Sequence, residues 1–268
     1  MTTARSFLFV PGDRPDRFDK AIAAGAGCTI LDLEDAVKPE DKAAARAAVS
    51  EWLTAGGRAA LRINPPGTEF HEEDLALVDH ANLTAVLLPK AESAEDCAAV
   101  LSRMISGIAL LPLIESAKGL LKAPEIAAIQ GVARLLFGSI DFMNECGIED
   151  DREGLAHARS SLVIASAAAG IMGPVDGVTL ALDDPEQLAA DCAAARRYGM
   201  GGKLCIHPKQ VAGVEKGFSP TDTEIAQARR ILSAAEDAGA KGAIRLDGKL
   251  VDIPVVDRAR RTLEQAGG

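Results

Sequence analysis

The sequence predicts a (β/α)8 TIM barrel, in which eight parallel strands alternate with helices and close into a cylinder, followed by a C-terminal extension. Eight short apolar runs of strand length recur along the chain, and alanine-rich stretches with helical periodicity separate them. This alternation is typical of a parallel sheet built from βαβ units. The chain length of 268 residues also fits this fold, which usually needs roughly 250.

The apolar runs are the predicted barrel strands. In chain order they span residues 7–10, 28–33, 59–63, 85–88, 109–114, 134–137, 177–180 and 202–206. In a barrel of this kind the active site forms at the carboxyl ends of the strands. The polar residues that end or follow each run are therefore the candidates for function.

Local signals mark several of the intervening helices. Residues 42–53 and 94–103 are amphipathic and rich in alanine. Pro39 and the acids after it are typical of a helix start, and Ser93-x-x-Asp96 resembles a capping box. These signals place one helix after the second strand and another after the fourth.

The barrel is predicted to occupy residues 1–218, which leaves residues 219–268 as a C-terminal lid or oligomerisation extension. This extension contains a predicted helix over 224–238 closed by Gly239, a hairpin within 243–256 that turns at Asp247-Gly248, and a last helix over 256–265. A barrel does not need these residues to close, which points to a separate role for them.

Composition excludes several classes of function. The net charge of −10 and the small number of aromatic residues (one Trp, one Tyr and seven Phe) argue against binding nucleic acid. No apolar run approaches the ~20 residues that span a bilayer, and the N-terminus lacks the pattern of a leader peptide, so we expect a cytoplasmic protein that does not bind membranes. The five cysteines form no CxxC pair and are predicted to be buried free thiols.

Two carboxylates are the strongest candidates for a metal site. Glu115 follows the fifth predicted strand and Asp141 follows the sixth, so both side chains would reach the mouth of the barrel from neighbouring strands. With no His or Cys nearby, the ligands are oxygen only, which suits Mg²⁺. The alternative is that each acid caps a helix or pairs with a surface lysine.

Gly138 and Ser139 lie beside Asp141. A glycine here would let backbone N–H groups approach a ligand carboxylate or oxyanion. An ordinary tight turn explains the same residues equally well.

Arg62 ends the third predicted strand. Pointing inward, its planar guanidinium would hold a substrate carboxylate through two hydrogen bonds. A buried ion pair with Asp32 or Glu34 is the alternative, and both roles are compatible. Strand alternation sends Asp32 and Glu34 to one face and Asp35 to the other, and at least one of these acids, for which we select Glu34, would orient Arg62 or a metal-bound water.

Two lysine-containing segments are further candidates for ligand binding or catalysis. Arg14, Arg17 and Lys20 follow the first strand and form a basic patch that could bind an anionic ligand. Lys90 follows the fourth strand, where a Schiff-base role is conceivable but an ion pair with Glu92 is favoured.

Taken in order, these segments resemble the citrate lyase beta-subunit family, within the wider group of HpcH/HpaI-type aldolases and malyl-CoA lyases. The resemblance covers nearly the whole chain. It rests on the spacing of FVPGD at 9–13, LDLEDAV at 31–37, RIN at 62–64, LPK at 88–90, LIE at 113–115, FGSID at 137–141, GKLCIHPKQ at 202–210 and GKLVDIP at 248–254. Each motif is weak alone, and their order is specific.

The resemblance implies a Mg²⁺-dependent barrel that cleaves or forms a carbon–carbon bond in a 3-hydroxyacyl-CoA, such as malyl-, citramalyl- or citryl-CoA. It implies that Glu115 and Asp141 hold the metal, that Arg62 binds the substrate, and that Arg17 and Lys20 lie near the CoA chain. Asp252 would be the acid/base group, supplied by the tail of a neighbouring subunit. The family typically forms homotrimers or hexamers.

Other functions remain open at this point. One is hydrolysis of the thioester, as in malyl-CoA thioesterases, and another is a 2-oxo acid aldolase that uses no CoA. A barrel retained as a scaffold subunit is the non-enzymatic alternative. The presence of both Glu115 and Asp141 argues against a scaffold.

Overall fold

The structure, a computed structural model, describes residues 3–237 and 243–267. The chain divides into two compact units, Met1–Phe218 and Ser219–Gly268. All strands of the barrel lie in the first unit, and the second contains two helices and a two-stranded hairpin.

Eight parallel strands close into a barrel, because β1 pairs with both β2 and β8. This confirms the predicted fold class. The strands are β1 (Ser6–Pro11), β2 (Cys28–Asp32), β3 (Ala59–Arg62), β4 (Leu83–Leu88), β5 (Ala109–Ile114), β6 (Leu136–Phe137), β7 (Val175–Asp176) and β8 (Gly202–Cys205). Since the strands are parallel, all their carboxyl ends meet at one rim.

At least one helix follows each strand of the barrel. They are α1 (Phe18–Ala23), α2 (Lys42–Thr54), α3 (His71–Asp74), α4 (Ala94–Leu101), α5 (Ala117–Ala127), α6 (Ser139–Cys146), α7 (Ala156–Ala168), α8 (Pro185–Tyr198) and α9 (Val211–Phe218). The helix predicted from the Ser93 capping signal is α4, and the Ser93 Oγ accepts a hydrogen bond from the Asp96 N–H at 3.1 Å. Pro39–Asp41 forms a single 3-10 turn that leads into α2.

The strands are apolar throughout because both of their faces are buried. On β1, Phe7 belongs to a cluster with members from all eight strands, which is the barrel interior. Leu8 and Val10 point the other way, into a larger cluster shared with the helices. A strand buried on both sides produces the continuous apolar runs seen in the sequence.

The predicted position of the seventh strand was wrong. The apolar run 177–180 is not a strand, and β7 is Val175–Asp176. Asp176 is buried and paired with Arg159 (Nε to Oδ1, 2.8 Å) and Lys203 (Nζ to Oδ2, 3.2 Å). A charged residue within a strand interrupts the apolar pattern, while the exposed Leu180 extends it falsely.

The second unit contains α10 (Asp222–Asp237), β9 (Ile244–Leu246), β10 (Lys249–Val251) and α11 (Ile253–Gly267). The hairpin turns at Asp247 and Gly248 as predicted, with φ angles of 49° and 77° that suit a tight two-residue turn. The last helix begins three residues earlier than predicted, since Pro254 is tolerated in a first turn. The predicted helix end at Ala238 and Gly239 lies outside the described residues.

Among the described residues, none of the helices combines the length and the apolar composition that spanning a bilayer requires. The five cysteines are free thiols. Four of them are buried as predicted. The expectation is wrong for Cys146, which is exposed at the end of α6.

Candidate active site

A cavity of about 370 Å³ opens at the carboxyl-end rim of the barrel. Its charged lining residues are Asp32, Asp35, Arg62, Glu115 and Asp141. Gly138 and Ser139 line it as well. The closed barrel thus brings together five residues that were selected from the sequence and that are spread over eighty positions of the chain: Arg62, Glu115, Gly138, Ser139 and Asp141.

Asp32 forms a buried ion pair with Arg62. The Arg62 Nε and Nη2 atoms donate to the two carboxylate oxygens of Asp32 at 2.7 and 2.6 Å, and the guanidinium stacks 4.7 Å from the ring centre of Phe9. Both groups are buried. The ion pair that the sequence left as an alternative is therefore formed, and it uses the Nε and Nη2 atoms of the guanidinium.

The predicted faces of the acidic segment need correction. Asp35 Oδ2 lies 3.5 Å from Arg62 Nη1, so Asp35 faces the arginine together with Asp32 and Glu34. Strand alternation fails here because β2 ends at Asp32 and the following residues turn.

Glu34 lies beside Arg62 and is not among the residues that line the cavity. Its Oε2 atom is 2.7 Å from Arg62 Nη1, although no hydrogen bond of normal geometry joins them. Burial raises the pKa of Glu34 to about 8, and the charge of Arg62 only partly offsets this rise. Because Asp32 already neutralises the guanidinium, a second negative charge at Glu34 is poorly stabilised.

Glu115 follows β5 and is 5% exposed. Its Oε1 accepts a hydrogen bond from the backbone N–H of Lys90 at 2.8 Å. Lys90 adopts a left-handed conformation with a φ of 46°, which is uncommon for a residue other than glycine. Burial raises the pKa of Glu115 to about 7; the Lys90 N–H opposes this rise and the charge of Asp141 adds to it.

Lys90 does not form the expected ion pair with Glu92. The carboxylate of Glu92 instead contacts Lys118, at 3.1 Å, and accepts a hydrogen bond from the Ser116 hydroxyl at 2.8 Å. Lys90 contributes to the site through its backbone N–H, which donates a hydrogen bond to Glu115.

Gly138 packs against Glu115, and the predicted approach of backbone N–H groups to a ligand stays a prediction. A Cβ on residue 138 would lie 2.4 Å from the Glu115 Cβ and 2.6 Å from its Oε2. The Gly138 N–H donates to the Ile114 carbonyl at 2.9 Å. Glycine is thus needed for close packing, and its own N–H is already used within the protein.

Ser139 and Asp141 lie in the first turn of α6. Ser139 is buried against Gly177, where a Cβ would lie 1.9 Å from the serine Oγ. Asp141 lines the cavity and is exposed, and its negative charge contributes to the raised pKa of Glu115. The first turn of α6 therefore places a second carboxylate in the cavity that Glu115 lines.

A buried polar network behind the site was missed by the sequence analysis. The Lys42 Nζ donates to the carbonyls of Leu33 and Glu34 at 2.7 and 2.9 Å, and the Asn64 side chain donates to the Leu33 carbonyl at 2.9 Å. Asp74 accepts hydrogen bonds from the Asn64 side chain and N–H at 2.6 and 2.7 Å. These bonds fix the segment that carries Glu34 beside Arg62.

Arg17 and Lys20 are exposed, on a 3-10 turn and on α1, and are not among the cavity-lining residues. Arg14, the third residue of the basic patch, pairs with Asp16 at 3.1 Å. The proposed contact of Arg17 and Lys20 with CoA stays a prediction.

Asp252 lies in the second unit, directly before α11. Its Oδ1 is 3.4 Å from the N–H of Val255, so it caps the helix. It also lines a separate cavity of about 210 Å³ between α10 and α11. Its acid/base role stays a prediction.

The donor set fits a magnesium ion. Glu115 and Asp141 offer oxygen ligands in a cavity where Arg62, the single cation among the described lining residues, is already paired with Asp32. Within residues 3–237 and 243–267 no group of three or more His, Cys, Asp or Glu side chains could hold a metal ion by itself. Magnesium suits such a site, since it usually takes one or two protein carboxylates and completes its shell with water and substrate oxygens.

Comparison with known proteins identifies one family and several relatives of similar length. The model of the HpcH/HpaI aldolase/citrate lyase family matches residues 5–208. A citrate lyase subunit beta-like protein of Mycobacterium tuberculosis is 35% identical over 268 residues, which cover 97% of this chain and 95% of that protein. A (3S)-malyl-CoA thioesterase of Cereibacter sphaeroides is also 35% identical, over 98% of this chain and 94% of its own.

Solved structures show the same similarity. The protein CitE from Mycobacterium tuberculosis, in complex with magnesium, acetoacetate and coenzyme A, has a TM-score of 0.88 and 35% identity, with 100% of both chains covered. The citrate lyase beta subunit of the same organism, complexed with oxaloacetate and magnesium, has a TM-score of 0.72 and 34% identity. That match covers 81% of this chain and 98% of the other.

Proposed function

Because the chain belongs to the HpcH/HpaI aldolase/citrate lyase family, we propose that it is a Mg²⁺-dependent lyase acting on a 3-hydroxy-carboxyacyl-CoA. Malyl-, citramalyl- and citryl-CoA are the candidate substrates. Cleavage of each would give an acyl-CoA and a 2-oxo acid. The observation that best supports this proposal is the placement of Glu115 and Asp141 in one cavity beside Arg62.

Glu115 and Asp141 would hold the magnesium ion. When bound, the ion would lower the pKa of the substrate hydroxyl and stabilise negative charge on the 2-oxo acid. Magnesium in the Mycobacterium tuberculosis relatives supports this assignment. The raised pKa of Glu115 fits it as well, because a buried carboxylate next to a second one favours a cation between them.

Arg62 would stabilise the substrate carboxylate through N–H groups that Asp32 does not use. Asp32 holds the guanidinium plane fixed, and Glu34 and the Lys42 network support it from behind. Glu34 is therefore assigned as a positioning residue rather than one that contacts substrate.

Breaking the carbon–carbon bond requires loss of the hydroxyl proton and leaves a thioester enolate. A proton must then reach the enolate carbon, and in the condensing direction the same group removes it. We propose Asp252 for this role on the family resemblance alone, acting in an active site of a neighbouring copy within a homotrimer or hexamer.

Thioester hydrolysis is the second candidate. The Cereibacter sphaeroides relatives named (3S)-malyl-CoA thioesterase are as similar to this chain as the citrate lyase-like ones, at 35% identity. A hydrolase would release free CoA and an intact hydroxy acid. A lyase would release an acyl-CoA and a 2-oxo acid.

The test is incubation with malyl-, citramalyl- and citryl-CoA plus Mg²⁺, followed by mass spectrometry of the products. We expect acetyl-CoA and a 2-oxo acid, abolished by EDTA and by Glu115→Gln or Asp141→Asn. The matched control is Glu149→Gln, an exposed acid near the end of the α6 segment. Full activity of Glu115→Gln in EDTA would contradict the metal assignment, and release of free CoA alone would favour the hydrolase.

A further inference from the structure

The barrel wall is irregular where β7 ends, beside the cavity. The pairing of β7 with β8 ends at Asp176 and Lys203, so the segment 177–180 continues beyond the ladder. Val178 on this segment and Ile206, directly after β8, both line the cavity. The positions of these two side chains therefore depend on bonds other than the strand pairing of the barrel.

The side-chain amide of Gln210 joins the two segments. Gln210 ends the 3-10 turn that follows β8 and is 2% exposed. Its Oε1 accepts a hydrogen bond from the Ile206 N–H at 2.9 Å, and its Nε2 donates to the Thr179 carbonyl at 2.7 Å. The amide bridges the segments as an inserted peptide group would. A glutamate could not replace it, because an ionised carboxylate has no donor for the Thr179 carbonyl.

Thr179 is also bonded through its side chain. Its hydroxyl donates to Asp191 Oδ2 on α8 at 2.8 Å, and Asp191 Oδ1 accepts a hydrogen bond from the Gln187 side chain at 2.7 Å. Thr179 and Asp191 are both buried. The residue that follows Val178 is thus fixed by its carbonyl to the end of β8 and by its hydroxyl to α8.

The residue before Val178 packs against the turn that carries a proposed metal ligand. A Cβ on Gly177 would lie 1.9 Å from the Ser139 Oγ, so the backbone of the segment touches the first turn of α6. Asp141 belongs to the same turn. A 2-oxo acid bound to magnesium at Glu115 and Asp141 would therefore lie in the part of the cavity that Val178 lines.

Resting on the proposed function, we infer that Gln210 is a positioning residue that limits the size of the 2-oxo acid the cavity accepts. Gln210 is not among the residues described as lining the cavity, so it acts through Val178 and Ile206. Loss of its amide would leave the Ile206 N–H and the Thr179 carbonyl without these buried partners, which is unfavourable. Both segments would then move to recover hydrogen bonds, and the wall would lose its fixed position.

Gln210→Met tests this inference, because methionine is also unbranched and flexible but lacks the amide. Calorimetry with pyruvate and 2-oxopentanoate, in the presence of Mg²⁺, measures how strictly the cavity limits chain length. We expect the ratio of the Kd for 2-oxopentanoate to the Kd for pyruvate to fall at least about fivefold, since a wall that can move admits the longer alkyl chain. The affinity for Mg²⁺ alone should not change, because Glu115 and Asp141 keep their surroundings.

Asn82→Ala is the matched control for a merely structural role. Asn82 directly precedes β4 at the opposite end of the barrel, and its side chain donates to the Leu53 carbonyl at 2.8 Å. Gln210→Met and Asn82→Ala should both lower the free energy of unfolding in urea. Gln210→Met should change the ratio of the two Kd values, and Asn82→Ala should leave that ratio as in the wild type.

Two further variants keep the test decisive. Thr179→Val removes the bond to Asp191 and should lower the same ratio, so it replaces Gln210→Met if that variant does not fold. Val178→Ala removes one side chain through which Gln210 acts. In this background Gln210→Met should change the ratio less than it does alone, because the two effects share a cause.

The outcomes separate this inference from the proposed function. An unchanged ratio in Gln210→Met and Thr179→Val, or strictly additive effects of Gln210→Met and Val178→Ala, would overturn the inference and leave the lyase proposal standing. A wild-type protein that binds neither 2-oxo acid would also overturn it. If no CoA thioester is cleaved, the lyase proposal fails, and the ratio of the two Kd values still decides the role of Gln210.

Discussion

Glu115 can occupy its position only because residue 138 has no side chain: a Cβ on Gly138 would lie 2.4 Å from the Glu115 Cβ and 2.6 Å from its Oε2. The neighbour cannot yield easily, since Glu115 is buried and hydrogen-bonded to the Lys90 N–H. The backbone that follows β6 therefore determines where the carboxylate that follows β5 can lie.

Gly138→Ala should displace the Glu115 carboxylate. We expect the affinity for Mg²⁺, measured by calorimetry with the metal alone, to fall at least tenfold, and the free energy of unfolding to fall by about 1–3 kcal/mol, the usual cost of overpacking. Gly267→Ala is the control, because a Cβ there meets nothing within 4 Å. Unchanged Mg²⁺ affinity in Gly138→Ala would mean that Glu115 does not bind the metal.

The sequence was sufficient to predict the barrel because strands buried on both faces leave continuous apolar runs. It misplaced β7 because Asp176 satisfies its charge with Arg159 and Lys203, partners that are distant in sequence. The same limit applies to Lys42: a lysine at a helix start usually faces water, and only the folded chain brings the Leu33 and Glu34 carbonyls to it.

The candidate site was also predictable only in part. Residues at strand ends could be selected because a closed parallel barrel brings all those ends together. The sequence narrowed the partner of Arg62 to Asp32 or Glu34 but could not choose between them, because that choice depends on side-chain geometry across two strands. The sequence also gives no sign that Glu115 packs against Gly138.

Arg62→Lys tests the bidentate contact with Asp32. Lysine keeps the charge but cannot donate to both carboxylate oxygens from a planar group, so the fixed orientation is lost. We expect kcat/KM to fall by the equivalent of about 1.5–3 kcal/mol, the scale of a charge-assisted hydrogen bond. Arg103→Lys, an exposed residue paired with Glu72, is the control. Kinetics unchanged from the wild type would assign Arg62 a purely structural role.

Glu34 should make stability depend on pH. Its pKa in the folded protein is about 8, against an ordinary value of 4.5, because burial disfavours the charged form. The folded protein therefore holds this proton more tightly than the unfolded chain, and the free energy of unfolding falls as pH rises from about 4.5 to about 8.

Glu34→Gln should remove this pH-dependent fall in the free energy of unfolding. Relative to the wild type, the variant should become more stable between pH 5 and pH 8.5 by a few kcal/mol, since one pKa unit corresponds to about 1.4 kcal/mol. Urea unfolding in EDTA measures the difference, with the exposed Glu40→Gln as the control. A difference that does not vary with pH would show that Glu34 is ionised in the folded protein throughout this range.

The basic patch distinguishes a CoA enzyme from a free-acid aldolase. Arg17 and Lys20 are exposed, so replacing both with Gln should not affect folding. Binding of a CoA thioester should weaken several-fold, more so at low salt, while binding of a free 2-oxo acid should not change. The matched control replaces Arg58 and Lys216, two other exposed cations of the same unit. Equal losses for thioester and free acid would favour the aldolase.

The role of Asp252 can be tested by mixing two inactive proteins. If Asp252 acts in an active site of a neighbouring copy, as the family resemblance implies, then Asp252→Ala and Glu115→Ala should each be inactive alone. Unfolded and reassembled together, they should recover part of the wild-type activity, because some sites in mixed oligomers combine an intact Glu115 with an intact Asp252.

Reassembly of Asp252→Ala with Asp141→Ala should recover activity in the same way, since Asp141 and Glu115 line one cavity. Glu115→Ala with Asp141→Ala is the control and should stay inactive, because each site takes both carboxylates from one chain. Asp252 also caps α11, so Asp252→Asn, which retains a side-chain oxygen for the Val255 N–H, separates loss of the cap from loss of the acid. Full activity of Asp252→Asn, or no recovery in oligomers shown by mass spectrometry to be mixed, would contradict a catalytic role across subunits.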